Sequence, residues 1–416
     1  MSNDVYIIGS GMIKFGKYLE RSMKDLTREA LDLVLKDCGL TKDSIEAAWF
    51  SNSAWGQYSF QHCIRGQVAL SANGLEGLPI TNVENACAGA STALNGSWMS
   101  IKAGLYDCVL AIGVEKLYSE DRNKVMGGFI SGTDVEVTME MIARFQEEEQ
   151  KKRDKRAREQ GKEAVKEKTG GHSAFMDLYA MGARMHMEQY GTTQRQLAVI
   201  AAKAHNNSVK NELAQYTFPM SVEDVLADRE VAWPLTRSMC APIGDGAAAA
   251  IVCSEKFLKK TGRNRAVRIC ASILRSGTRE GRNDICSRAS GAAYEMAGVG
   301  PDDIDVAEVH DATSFGELYQ TEQMGFCPVG EGGPFAESGA TAIGGIIPVN
   351  PSGGLMARGH PVGASGLAQI HELITQLRSE AGGRQVDCAR IALAENGGGF
   401  LGQGEAAMAI HILEKM

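Results

Sequence analysis

The stretch Gly39-Leu40-Thr41-Lys42-Asp43-Ser44-Ile45-Glu46-Ala47-Ala48-Trp49-Phe50 returns in kind as Gly298-Val299-Gly300-Pro301-Asp302-Asp303-Ile304-Asp305-Val306-Ala307-Glu308-Val309. A helical pattern precedes each copy, Thr27 to Lys36 in the first and Ala289 to Ala297 in the second. Glycine then stands where a left-handed helix cap needs it. An Asp-x-Ile turn leads on into a short apolar strand. The match runs without a gap from Gly39 against Gly298 to Ile45 against Ile304, and it sets Ser51 opposite His310.

A second pairing extends the first. Cys87-Ala88-Gly89-Ala90-Ser91 opens an Ala-rich helix, Ser91 to Ala103, and Pro361-Val362-Gly363-Ala364-Ser365 opens another. Each helix leads to an apolar strand, Cys108 to Gly113 and Arg390 to Ala394. Strands alternating with helices imply an α/β fold whose sheets are covered by helices. A repeat of about 150 residues indicates duplication rather than a solenoid. The expected halves are residues 1–265 and 266–416. Two similar halves pack about a pseudo-twofold axis, which places the two helix starts together and turns Cys87 and His360 toward one cleft.

Residues from about 114 to 232 have no counterpart in the second half and read as an inserted helical subdomain. Its charged stretch, Glu147 to Lys168, includes the basic run Lys151 to Arg156 and has the propensity of an exposed helix. It is a solvated arm or a contact for substrate phosphates or a partner protein. The next helix, Ala174 to Tyr190, carries Phe175, Met176, Tyr179, Met181, Met185 and Met187, enough to line an acyl pocket or to pack a core.

Composition bounds the function. The chain has 416 residues, 44% hydrophobic and 23% charged, the balance of a globular protein with a large core and two to three domains. A net charge of −8 argues against a nucleic-acid surface. No apolar run is long enough for a membrane span, and the N-terminus does not read as an export signal. The ten cysteines form no Cys-x-x-Cys pair and no zinc-spaced cluster, so no metal is expected. Reduced thiols in the cytoplasm follow from the same pattern.

Four segments carry chemistry. Cys87 lies at a helix N-terminus, where free N–H groups and the helix dipole favour a thiolate. Its small neighbours Ala88 to Ser91 leave room for a bulky thioester. His310-Asp311 follows a strand, at the end where α/β proteins place their sites. Gly359-His360-Pro361 leaves His360 at a helix mouth, able to take a proton from a nearby thiol. Asn396-Gly397-Gly398-Gly399 exposes backbone N–H groups suited to an oxyanion.

At these residues the chain resembles the thiolase superfamily. Cys87 in its small-residue run, Cys240-Ala241-Pro242-Ile243-Gly244-Asp245-Gly246-Ala247-Ala248, Asn350-Pro351-Ser352-Gly353-Gly354-Leu355 and Gly359 to Gly366 match in order, over nearly the whole chain. His310-Asp311 points to the sterol-carrier-protein and archaeal branch, which includes acetyl-CoA acetyltransferase-like members. The resemblance implies a duplicated five-layered αβαβα thiolase fold with a helical loop domain, and a homodimer or dimer of dimers. It makes Cys87 the acylated nucleophile and His360 its base. It gives His310 a place at the thioester oxygen, and the N–H of Cys87 with that of Gly398 or Gly399 a place at the acyl oxygen. Coenzyme A is then substrate and product. Branch members also associate with a small zinc-ribbon and OB-fold protein.

One departure stands out. Thiolases normally add a second, acid/base cysteine, in the Gly-rich C-terminal turn or just after His-Asp. Here those places hold Asn396 with glycines and Ala312. The proton at the substrate α-carbon then falls to His360, His310, Asp311 or Cys240. Three functions follow. The first is a C-acyltransferase on a 3-oxoacyl-CoA, with a branched or aromatic substrate such as benzoylsuccinyl-CoA. The second is a thiolase-like aldolase on a 3-hydroxyacyl-CoA. The third is a scaffold subunit in a CoA-handling complex.

Overall fold

The computed structural model describes the chain apart from residues 1–3, 138, 141–142, 145–146, 148–149, 152–172, 263–264, 280–284 and 403. Nine strands form one sheet in the order β3-β2-β4-β7-β1-β8-β11-β10-β9. They are β1 (Val5–Met12), β2 (Ala47–Ser51), β3 (Ile80–Val83), β4 (Cys108–Glu115), β7 (Gly246–Ser254), β8 (Val267–Ser276), β9 (Val306–Glu308), β10 (Ile391–Gly398) and β11 (Ala407–Lys415). The two remaining strands, β5 (Glu230–Ala232) and β6 (Leu235–Thr236), pair by themselves.

The sheet repeats itself outward from its centre. One side runs β1, β7, β4, β2, β3 and the other runs β8, β11, β10, β9. On both sides a parallel pairing follows two antiparallel ones, β2 with β4 and β9 with β10. Beyond β9, where β3 stands in the first half, Ala307 makes a single parallel bridge to Val349. Within the sheet the halves pair through Tyr6 with Arg268 and Ile7 with Val267.

Alternation along β7 shows how the layers stack. Ala248, Ala250 and Val252 face one core with Ala90, Ala93 and Leu94 of the helix Gly89–Lys102 and Leu367, Ile370 and Leu373 of the helix Ser365–Leu377. Ala247, Ala249 and Ile251 face the opposite core with Leu26, Leu31 and Val34 of the helix Met23–Cys38. The period of two in a strand puts successive side chains on opposite faces. The two central helices touch each other and strands of both halves, and the helix Ile285–Ala297 covers the outer side of β8 and β11. The layers are helix, one half of the sheet, paired helices, the other half of the sheet, helix.

Local chemistry sets the boundaries. Ser22 and Asp25 form a capping box that starts the first helix at Met23, and Gly39 ends it with φ 61°. That helix is longer at both ends than the apolar pattern from Thr27 to Lys36. The second-half helix also begins earlier, at Ile285. The inserted segment holds the helices Arg122–Ile130, Ala174–Tyr190, Gln194–Ser208 and Val222–Ala227. Of the basic run, only Lys151 falls within the described residues. No helix among the described residues is long and apolar enough to cross a membrane.

Candidate active site

The chain leaves β3 at Val83 and turns through Ala86, which is held at φ 47°. A side chain in this left-handed region costs about 1–2 kcal/mol. Two tight bonds hold the turn, Ala88 N–H to the Asn85 carbonyl at 3.0 Å and Gly89 N–H to the Ala86 carbonyl at 3.1 Å. The helix begins at Gly89 with Ala88 as its cap, so Cys87 lies just outside the first turn.

That placement corrects the expected thiolate. Burial pushes the Cys87 thiol up to about 12; the Gly399 N–H pulls against this, and the Glu84 and Glu115 carboxylates add to it. The residue keeps some accessible surface, yet the protein enclosing its sulfur removes the water a thiolate needs.

His360 reaches the sulfur from the other half of the chain. Its Nε2 lies 3.3 Å from Cys87 Sγ and its Nδ1 lies 2.7 Å from Ser365 Oγ. The Ser365 hydroxyl donates to the Pro361 carbonyl at 3.0 Å, so it accepts from Nδ1–H. This leaves the Nε2 lone pair facing the thiol. Burial, with the His310 ring and the Arg358 charge, holds His360 well below the usual imidazole range. Both shifts favour a neutral thiol and a neutral imidazole over a charged pair.

His310 stands edge-on to His360, with ring centroids 5.2 Å apart. Ser91 Oγ donates to Asn396 Oδ1 at 3.0 Å, which turns the Asn396 amide N–H toward His310 Nδ1 at 3.1 Å. His310 therefore carries its proton on Nε2, as a donor. Burial lowers it to about 4. Its backbone N–H donates to Glu395 Oε2 at 2.7 Å.

The ligand atoms of Cys87, His310 and His360 lie within 4.8 Å of one another. A thiol and two imidazoles are a soft donor set that suits zinc in type. The His310 tautomer, with Nε2 protonated, instead offers a hydrogen bond to an oxygen.

Gly399 completes the centre. It sits at φ 65° and its N–H donates toward the Cys87 sulfur. Gly398 packs against the nucleophile turn so closely that a Cβ would fall 2.2 Å from the Asn85 carbonyl oxygen.

The two other acid/base candidates have hydrogen-bond partners of their own. Asp311 Oδ1 accepts the Leu355 N–H at 2.6 Å, so its carboxyl braces the 350–355 loop. Gly354 there has φ 57°, and a Cβ on it would lie 2.0 Å from Asp311 Oδ2. Cys240 Sγ donates to the Thr236 carbonyl at 3.4 Å, on the wall of a cavity that it shares with Ala312 and His360.

Two cavities reach this centre. The larger, about 860 Å³, touches His360 and runs past Cys240, Met176 and Tyr118 to Lys17 and Arg237. The smaller, about 550 Å³, touches Gly399 and is walled by the helix Ala174–Tyr190, through Phe175, Tyr179 and Met181, and by Phe315 and Phe400. Met176 thus faces one cavity and Phe175 the other.

Sequence reasoning passed over Glu115. Its buried carboxylate ends β4 and accepts from Asn52 Nδ2, Ser53 N–H, Ala54 N–H and Gly363 N–H, at 2.8 to 3.1 Å. The signal was present, a carboxylate at the C-terminal end of an otherwise apolar strand.

Two family models match the chain, the thiolase N-terminal domain over residues 5–228 and a thiolase C-terminal domain-like model over residues 280–414. An acetyl-CoA acetyltransferase of Methanothermobacter thermautotrophicus is 38% identical, over 99% of this chain and 100% of the relative. The benzoylsuccinyl-CoA thiolase subunit BbsB of Thauera aromatica is 33% identical, over 96% of each. A solved structure titled Ltp2-ChsH2(DUF35) aldolase superposes with a TM-score of 0.75 at 19% identity, over 99% of this chain and 98% of that one.

Proposed function

The chain belongs to the thiolase family, and on that premise we propose that it is a CoA-dependent C-acyltransferase that works through an acyl group on Cys87. The observation that carries this reading is the 3.3 Å approach of His360 Nε2 to Cys87 Sγ, with Nδ1 anchored on Ser365. A neutral dyad keeps its proton until substrate arrives. Cys87 Sγ then attacks the 3-oxo carbon of a 3-oxoacyl-CoA as its proton passes to His360 Nε2.

The developing oxyanion takes hydrogen bonds from the N–H of Cys87 and of Gly399. The bond between the 2- and 3-carbons breaks, and its electron pair leaves with an acyl-CoA enolate. His310 Nε2–H donates to that enolate oxygen. The proton on His360 passes to the enolate carbon, which releases an acyl-CoA. The thiol of a second CoA takes the acyl group from Cys87 by the reverse of these proton steps. His360 serves both proton transfers, since Asp311 is spent on the Leu355 loop and Cys240 faces a carbonyl.

The aromatic walls beside Gly399 favour a ring-bearing substrate of the benzoylsuccinyl-CoA kind. An aldolase needs neither an acyl-cysteine nor its base, so the paired Cys87 and His360 speak for acyl transfer. The half-exposed edge strand β3 is a surface on which a second copy could continue the sheet. A small DUF35-type partner is a further inferred component. The test is intact mass after mixing with acyl-CoA: an adduct should map to Cys87 and vanish in Cys87→Ala. Turnover of a 3-hydroxyacyl-CoA without CoA, undiminished by that substitution, would establish the aldolase instead.

A further inference from the structure

The smaller cavity beside Gly399 has a composition that selects its occupant. Six aromatic rings line it, those of Phe175, Tyr179, Tyr190, Phe315, Tyr319 and Phe400. The whole chain has only 26 Phe, Tyr and Trp residues, from 12 Phe, 10 Tyr and 4 Trp, so the wall is strongly enriched. Gly182 keeps the wall thin, since a Cβ there would fall 2.8 Å from Phe315 Cε1. Phe315 and Tyr319 lie 5.9 Å apart and tilted by 33°, an offset pair that presents ring faces and edges.

The same wall carries acidic side chains. Glu322 and Glu405 line it, and no Lys or Arg does among the described residues. His186 offers no free cation, because its Nδ1 meets Thr192 Oγ1 at 2.7 Å and its Nε2 meets Glu322 Oε2 at 3.1 Å. Glu405 Oε1 accepts from Gln320 Nε2 at 2.8 Å, and Oε2 has no hydrogen-bond partner among the described residues. A carboxylate brought into this space would be desolvated beside other carboxyls with no cation to meet it. The larger cavity carries both signs, Lys17 and Arg237 beside Glu120, Asp224 and Asp228.

We propose that the smaller cavity receives the acyl group carried by Cys87, and that it selects an uncharged aromatic acyl group while excluding carboxylated ones. This deepens the acyltransferase reading and rests on it for the identity of the cavity's occupant.

The test separates the two. Equilibrium binding to Cys87→Ala needs no chemistry: benzoyl-CoA should bind at least about 100-fold more tightly than succinyl-CoA. In the wild-type enzyme, benzoyl-CoA should acylate Cys87 faster than succinyl-CoA by a similar factor. Gln323→Arg places a cation on the cavity wall and should raise succinyl-CoA binding by about tenfold. Equal binding of the two thioesters to Cys87→Ala, or no gain from Gln323→Arg, would overturn the proposal. Selective binding with no acyl adduct on wild-type Cys87 would leave the cavity's selectivity standing and remove the acyl-enzyme reading.

Discussion

Glu115, at the end of β4 in the first half, accepts the backbone N–H of Gly363 from the second half at 3.0 Å. Gly363 lies three residues beyond His360, so a carboxylate on one half sets where the other half's imidazole stands. The same carboxylate holds Asn52, Ser53 and Ala54. Burial raises its pKa, and the N–H donors from Ser53, Ala54 and Gly363, with Arg65 nearby, pull it back. Replacing Glu115 with Ala would orphan several buried donors at about 1–3 kcal/mol each. Glu115→Ala should lose at least about 3 kcal/mol in urea unfolding and acylate Cys87 more slowly, with Glu115→Gln intermediate in both. Wild-type stability in Glu115→Ala would refute the role.

The free enzyme should show no reactive thiolate at neutral pH. The Cys87 thiol is pushed from 9.0 up to about 12, and His360 is held below its usual range, so no charged pair forms between them. Alkylation of Cys87 by iodoacetamide, followed by peptide mass spectrometry, should rise about tenfold per pH unit through pH 9 to 10. A plateau near pH 7 would indicate a thiolate–imidazolium pair instead. The linkage has a definite sign. A raised folded-state pKa means the folded protein holds the proton more tightly than the unfolded chain. This contribution is complete below pH 9 and is lost as pH rises toward 12.

The sequence disclosed what depends on local pattern. Periodicity and capping glycines made the repeat visible, and the repeat alone brings Cys87 and His360 together across 273 positions. What stayed hidden depends on packing between distant segments. The protonation of Cys87 follows from how many atoms enclose it, which no neighbouring residue encodes. Asp311 reads as an acid beside His310, and only the fold shows the 350–355 loop taking its oxygens. The aromatic cavity draws its wall from residues 175–190, 315–329 and 399–405. Only the Ala174–Tyr190 helix announced its part in advance.

Ser365 acts on the nucleophile through His360 rather than by touching substrate. It accepts from Nδ1–H and so keeps Nε2 unprotonated beside the sulfur. Without it the ring can carry its proton on the wrong nitrogen or rotate. Groups that orient a catalytic histidine are worth about 10- to 100-fold. Ser365→Ala should lower kcat by that factor and leave KM for the acyl-CoA near its original value. Ser365→Thr, which keeps the hydroxyl, should recover most of the loss. A KM effect with unchanged kcat would place Ser365 in substrate binding instead.

Gly366 is where the two central helices meet. A Cβ there would fall 2.1 Å from Ser91 Oγ, 2.6 Å from Asn396 Oδ1 and 2.8 Å from the Ser91 backbone nitrogen. The Ser91 nitrogen belongs to a buried helix and cannot swing aside, so the halves must separate to admit a methyl group. Overpacking of this kind costs about 1–3 kcal/mol, at times more. The shift also disturbs the Ser91–Asn396–His310 chain that fixes the His310 tautomer. Gly366→Ala should therefore destabilise the fold by at least about 2 kcal/mol and weaken turnover together. Gly291 provides the control, on the exposed face of the helix Ile285–Ala297 with nothing within 4 Å of its missing Cβ. Gly291→Ala should stabilise by about 0.5–1 kcal/mol through helix propensity. If the two substitutions shift the urea midpoint in the same direction, the close contact of the central helices is not what holds the halves in register.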